Sequence, residues 1–286
     1  MTFASTAMPA MTTMDSTNGG PIDHGDYPPW IFLRGLARES RHWGNFVPQF
    51  EATMPASRVI ALEFPGNGLL NQQCSPMCVQ DMVEHCRAQL RASHIHPPYR
   101  LLALSLGGMV AVAWSCSYPG EISAQVLINT SLRTFSPFYE RLRPTNYAVL
   151  FQLAVFGATP EAWERTILRI TSNHPDDAVL PHWLAWRRAN PVSRTNALRQ
   201  LVAAARFSAP KRPPATATLL LACAQDRLVS VACSKTLARR WQCDLRIHPG
   251  AGHDLPLDDG LWVADQVREW VLTGLAMPEF RNDSAQ

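Results

Sequence analysis

Short apolar runs alternate along this chain with longer segments whose apolar residues recur at helical spacing. Residues 28–33 (PPWIFL) predict a buried strand. A helix beginning near Arg41 follows, with Trp43, Phe46, Val47 and Phe50 on one face. Residues 58–62 predict a second strand, closed by the Pro/Gly loop 63–68, and a helix over about 75–93 turns Met77, Met82, Val83, Cys86 and Leu90 inward. A third strand (99–104) runs through Ser105 into an apolar helix that stops at Tyr118-Pro119-Gly120, and a fourth strand occupies 124–129. The same rhythm returns with a strand at 217–223, a helix at 233–241, a strand at 244–248 and a last helix near 261–275. Strands alternating with helices imply an α/β fold: a mostly parallel sheet with helices on both faces.

Between residues 133 and 214 the rhythm stops. No convincing strand run appears there; 152–156, 162–170, 182–189 and 193–205 all read as helices. The pattern therefore divides the chain into a core (28–132 and 215–276) and an inserted helical cap (133–214). Two tails flank them, a disordered N-terminal one (1–27) and a C-terminal one (277–286). Residues 1–27 are rich in Met, Thr, Ser, Pro and Gly and lack the basic start and apolar stretch of a secretion signal.

The third strand carries the first candidate chemistry. In Leu101-Leu-Ala-Leu-Ser-Leu-Gly-Gly108, Ala103 and Gly107 flank Ser105 two positions away on each side, where a tight strand-to-helix turn leaves no room for bulk. Such a turn exposes the serine hydroxyl at the sheet edge. It also aims the helix N-terminus at whatever binds there. The alternative is a Ser-Leu-Gly-Gly turn that merely joins a strand to a helix.

With this nucleophile-elbow pattern the chain resembles the α/β-hydrolase superfamily over roughly 30–275. Ala103 replaces the usual Gly, Arg34-Gly35 replaces the His-Gly often found after the first strand, and the residues before Trp30 look too polar for the family's opening hairpin. The cap enters where that family's caps enter, after the strand that follows the nucleophile helix. The resemblance implies partners for Ser105 in the order Ser, acid, His. Asp226 lies just past one strand and His253 just past the last, in the small-residue loop Gly250-Ala-Gly-His253. Ser105 is then the nucleophile, His253 the base, and Asp226 the group that orients the imidazole. Taken singly, Asp226 also fits a helix cap and His253 a solvated loop residue. His248 is the poorer base because it lies inside a strand, and Asp254 and Asp258 are poorer acids because they follow the histidine. The oxyanion hole falls to the backbone N–H groups of Leu36 and Leu106. Arg34 is expected to pair with Glu39 or Glu63, or else to meet a substrate carboxylate.

Composition narrows the partners. A chain of 286 residues with 47% apolar and 17% charged residues suits a soluble domain with a sizeable core, and no apolar run is long enough to span a bilayer. The seven cysteines fit free thiols in the cytoplasm better than a disulfide framework. Cys74, Cys78 and Cys86, with His85 or His94, match no usual zinc spacing. No nucleotide fingerprint or other sign of a cofactor is present. The formal charge of +3 hides an asymmetry: residues 133–212 hold 12 basic and 5 acidic side chains, a balance of +7. These include Arg133, Arg141, Arg143, Arg165, Arg169, Arg187, Arg188, Arg194 and Arg199. A basic cap of this kind would steer an acyl carrier protein or a coenzyme A thioester, as in the architecturally similar methyl esterase acting on pimeloyl carrier protein; the alternative is a solvated arginine-rich surface. Nucleic acid is not expected, because no binding motif accompanies the arginines. The cap aromatics (Phe135, Phe138, Tyr139, Tyr147, Phe151, Phe156, Trp163, Trp183 and Trp186) are expected mostly to pack the cap onto the core, or to line an acyl pocket.

The expectation is a cofactor-free serine hydrolase cleaving small or medium carboxylic esters through an acyl-enzyme. Thioesters or carrier-protein esters come second. A ligand receptor that keeps the pocket without turnover, a lyase and a haloperoxidase remain open on the same fold.

Overall fold

The computed structural model describes residues 27–55, 57–174 and 178–274. Six strands form one sheet in the order β2-β1-β3-β4-β5-β6, every neighbouring pair parallel. They are β1 (Trp30–Leu33), β2 (Val59–Leu62), β3 (Tyr99–Leu104), β4 (Ile122–Ile128), β5 (Ala217–Cys223) and β6 (Asp244–His248). Whether an opening hairpin precedes β1 lies outside the described residues.

Parallel strands covered on both sides must be apolar on both sides, and each strand divides its residues between two cores. On one face Trp30, Phe32, Leu102, Leu104, Val126, Ile128, Leu219 and Leu221 pack against α1 (Phe46–Thr53) and α11 (Gly260–Gly274), through Phe46, Phe50, Val263 and Val267. On the other, Ile31, Leu33, Leu101, Ala103, Leu127 and Leu220 pack against α2 (Val79–Ala92), α3 (Leu106–Ser117) and α9 (Val231–Trp241). Helix α3 is apolar nearly all round because it lies in the middle of the second face, and ten of its residues are buried.

Five helices stand between β4 and β5: α4 (Phe138–Arg141), α5 (Tyr147–Val155), α6 (Pro160–Thr171), α7 (Val179–Ala189) and α8 (Arg194–Arg206). The first two depart from expectation. Helix α4 lies where none is predicted, and α5 begins at Tyr147 rather than near Gln152, since the run YAVLFQLAV, apolar but for Gln152, carries little helical period. The aromatics also divide differently: Trp183 is buried, but Phe138 (72% exposed), Phe151 (62%) and Phe156 (78%) are not packed onto the core. A short helix α10 (Leu255–Asp258), also unpredicted, precedes α11.

At the junction of β1, β3 and α3, backbone meets backbone closely. A Cβ on Gly107 would lie 2.3 Å from the Leu33 carbonyl oxygen, so α3 approaches β1 as only glycine allows. Gly107→Ala should lower the unfolding free energy by about 1–3 kcal/mol in a denaturant titration, because the obstructing atoms are backbone.

Candidate active site

In a parallel sheet all strand C-termini share one edge, and that edge gathers the three predicted residues. Ser105 directly follows β3 and is the N-cap of α3, at φ 56° and ψ −113°. A non-glycine residue holds such a backbone where its surroundings over-determine it. Here the Ser105 N–H donates to the Ile128 carbonyl at 2.9 Å, and the Ser105 carbonyl accepts from Thr130 Oγ1 at 2.9 Å. Gly35 lies against the serine side chain, where a Cβ would come 3.4 Å from Ser105 Cβ.

Asp226 and His253 meet across the edge. The Nδ1–Oδ2 distance is 2.7 Å, and both side chains are nearly fully buried. The other Asp226 oxygen accepts from the backbone N–H groups of Leu228 (2.7 Å) and Val229 (2.9 Å). Asp226 is therefore not a helix cap, since Ser230 caps α9; one of its oxygens closes the turn to Leu228 and Val229 and the other meets the histidine. His253 also has its backbone fixed: Asn129 Nδ2 donates to the His253 carbonyl at 2.8 Å, while Asn129 Oδ1 accepts from the Cys223 N–H at 3.0 Å. Ser105 Oγ has no hydrogen-bond partner among the described residues, and the N–H groups of Leu36 and Leu106 have none either.

The remaining candidates serve as braces. Arg34 pairs with neither Glu39 nor Glu63. Its guanidinium forms a two-pronged ion pair with Asp254, at 2.6 and 3.1 Å, and stacks over Trp43 at 4.6 Å. The pair is buried (2% and 5% exposed), so Arg34 is committed to Asp254 rather than facing solvent for a substrate carboxylate. It ties the loop after β1 to the residue beside His253. Glu39 instead pairs with Arg41, and Glu63 accepts from the Ser40 N–H and hydroxyl at 2.9 and 2.7 Å. Asp258 accepts from the Gly252 N–H at 2.7 Å, from the Asn173 N–H at 2.9 Å and from the Ser172 hydroxyl, stitching the histidine loop to the end of α6. His248 pairs with Asp259 at 3.2 Å. Asn129 was not among the sequence candidates, and Asp258, weighed there only as a poorer acid, is a brace instead. The one hint was an asparagine ending an otherwise apolar strand.

Six parallel strands in this order, helices on both faces and a helical cap after β4 define the α/β-hydrolase fold. The chain belongs to the alpha/beta hydrolase family, whose profile matches residues 30–266. A monoacylglycerol lipase of Mycolicibacterium smegmatis is 29% identical over 261 residues, covering 86% of this chain and 88% of that protein. Among solved structures, an esterase from Rhodococcus sp. ECU1013 superposes with a TM-score of 0.69 at 17% identity, covering 86% of this chain and 90% of that one. A 2-hydroxy-6-oxo-6-phenylhexa-2,4-dienoate hydrolase from Rhodococcus sp. strain RHA1 gives 0.68 at 16%, with coverage of 85% and 89%. At these identities the two structures share the fold with this chain.

Two expectations concern stability. Arg34→Ala strands a buried carboxylate and should cost about 3–5 kcal/mol, whereas Arg34→Ala/Asp254→Ala should cost less than the sum of the single changes. A double-mutant cycle of urea unfolding measures this. Burial pushes the Glu63 carboxyl up to about 7, against the opposing pull of the Ser40 bonds. With the folded pKa above the unfolded one, the stability Glu63 contributes is present below about pH 4.5 and is lost as pH rises through 7. Glu63→Gln should remove this loss, on the order of 2–3 kcal/mol between pH 4 and 8, from the pH dependence of the unfolding free energy.

Proposed function

We propose that the protein hydrolyses carboxylic esters through an acyl-enzyme on Ser105. The observation that carries this reading is the buried Asp226–His253 pair at the sheet edge that also presents Ser105 on its strained turn. Ser105 Oγ bonds to the ester carbonyl carbon while His253 Nε2 takes its proton, with Asp226 holding the opposite nitrogen and offsetting the imidazolium charge. The carbonyl oxygen becomes an oxyanion that accepts from the N–H groups of Leu36 and Leu106. Collapse breaks the bond to the alcohol, which leaves with the proton from His253. Water then attacks the acyl-enzyme and gives its proton to His253, and the acid departs as Ser105 is regenerated.

Small-molecule esters of small to medium acyl groups remain the leading substrates, and a monoacylglycerol belongs in the test set because a relative is named for it. Several cap arginines are engaged internally: Arg187 with Glu164, Arg199 with the Ser75 carbonyl and Arg141 with the Ala204 carbonyl. That favours a small ester over a carrier-protein or coenzyme A thioester. No helix among the described residues is long and apolar enough to cross a membrane, and all seven cysteines are free, which fits a reducing cytoplasm.

Hydrolysis of p-nitrophenyl esters from acetate to long chains, with monoacylglycerol alongside, tests the reading. Ser105→Ala and His253→Ala should each lower kcat by about 10⁴-fold or more, and Asp226→Asn by about 10⁴-fold. Wild-type turnover that survives Ser105→Ala would sink the mechanism. Ligand binding with no turnover and no fluorophosphonate labelling of Ser105 would identify a receptor instead.

A further inference from the structure

The loop that would supply the Leu36 oxyanion donor is held by the cap as well as by the core. Gly35 to Arg38 form a turn closed by the Arg38 N–H on the Gly35 carbonyl at 3.3 Å. Ala37, at the third position of that turn, has φ 56°. Turns with a positive φ at the third position ordinarily carry glycine or asparagine there, and alanine favours the alternative turn in which the central peptide is rotated. Something must therefore hold the Leu36–Ala37 peptide in its observed plane. The Ala37 N–H donates to Gln200 Oε1 at 2.8 Å, a side chain 163 residues further along, on α8.

Gln200 is fully buried and fixed in turn. Its Nε2 donates to Asn67 Oδ1 at 2.8 Å and to Ser75 Oγ at 3.0 Å, and Asn67 Nδ2 donates to the Arg38 carbonyl at 2.9 Å. The path runs from the Ala37 N–H through Gln200 and Asn67 back to the carbonyl of Arg38, the last residue of the same turn. This closed circuit sets the amide orientations, since each oxygen meets a donor and each nitrogen an acceptor. The cap grips the turn a second time through Arg38, which pairs with Glu164 of α6 at 2.6 Å and lies 4.1 Å over the Trp183 ring of α7.

Resting on the ester-hydrolase reading above, the geometry points to Gln200 as a positioning residue for catalysis. By holding the Leu36–Ala37 peptide, this cap residue fixes the turn, and through it the position of the adjacent Gly35–Leu36 peptide whose N–H would meet the developing oxyanion. The cap is then part of the apparatus that stabilises the transition state, as well as a cover for substrate. Asn67 acts behind Gln200 in the same circuit.

An oxyanion donor strengthens its bond in the transition state, so its misplacement lowers kcat with little change in KM. Gln200→Ala should lower kcat for p-nitrophenyl butyrate about 10- to 100-fold, with KM within about twofold of wild type. Ala37→Gly placed on Gln200→Ala should recover most of that loss, because glycine accepts the positive φ without an external hold. A residue that merely packs α8 against the Ser75 loop would show no such rescue. Thermal unfolding of each variant verifies the fold. Gln200→Glu, which keeps the acceptor for the Ala37 N–H, serves as a second variant and should retain more kcat than Gln200→Ala. An unchanged kcat in Gln200→Ala, or a loss that Ala37→Gly does not recover, overturns the inference while leaving the serine mechanism standing. A wild-type protein that neither turns over esters nor labels with a fluorophosphonate overturns the mechanism and the inference with it.

Discussion

The left-handed backbone at Ser105 is the constraint on which the other features converge. A strand leading straight into a helix must reverse within one residue, and a non-glycine residue making that reversal carries local strain. The strain is tolerated because its neighbours leave no alternative. The strand β4 takes the Ser105 N–H, Thr130 takes its carbonyl, Gly35 lies against the serine side chain, and Gly107 omits a Cβ that would collide with the Leu33 carbonyl oxygen. Burying α3 on the sheet supplies the driving force, since an apolar helix pressed against β1 and β3 fixes where its first turn begins. Packing and hydroxyl placement are thus one problem with one solution, and the small residues around the serine serve both.

Around that point the structure spends buried polar groups where apolar ones would fill the space. The Arg34–Asp254 pair and the Asn129 and Asp258 bridges join loops that lie far apart in sequence. Buried ion pairs are weak sources of stability, since the desolvation of two charges offsets most of their attraction. Their value here is directional. A carboxylate with two fixed acceptors sets the angle of a guanidinium, whereas an apolar contact would let the loops slide by fractions of an ångström. All of these bridges act on the loops after β1, β4, β5 and β6, at the edge that presents Ser105, Asp226 and His253.

How much of this was legible in the sequence depended on the range of the interaction. Strand periodicity, the flanking small residues of Ser105 and the order of Asp226 and His253 are local signals, and the observed β5 and β6 coincide with the predicted runs. The bracing partners are not local. Arg34 was expected to meet nearby glutamates, but Glu39 is taken by Arg41 and Glu63 by Ser40. The guanidinium finds its carboxylate 220 residues away, because parallel topology puts the loops after β1 and β6 on one edge of the sheet, where the latter reaches across the three intervening strands. Helix α5 was misplaced for a different reason: YAVLFQLAV is apolar but for Gln152 and so carries little period to read.

That same helix bears on how the cap works. If the cap were a loosely hinged lid, its contacts with the core would be apolar and few. Instead α6, α8 and the residue Asn173 after α6 also reach the core through charged and amide groups of defined direction: Glu164 on Arg38, Gln200 on Ala37, Asn173 on the carbonyls of Gln225 and Gly250. Directional contacts of this kind reinforce one another and tie this part of the insertion to the core. Helix α5 differs. Leu153 is buried but Phe151, Val155 and Phe156 are exposed, and it is tethered mainly at its ends, where Asn146 donates to the Arg227 carbonyl and Arg194 to the Val155 carbonyl. On the ester-hydrolase proposal, the directional contacts of α6 and α8 would serve the reacting carbonyl, whose geometry every ester shares. The exposed apolar α5, strung between the loop of Asp226 and α8, would be free to vary with the acyl group, the part of the substrate that differs from one ester to the next.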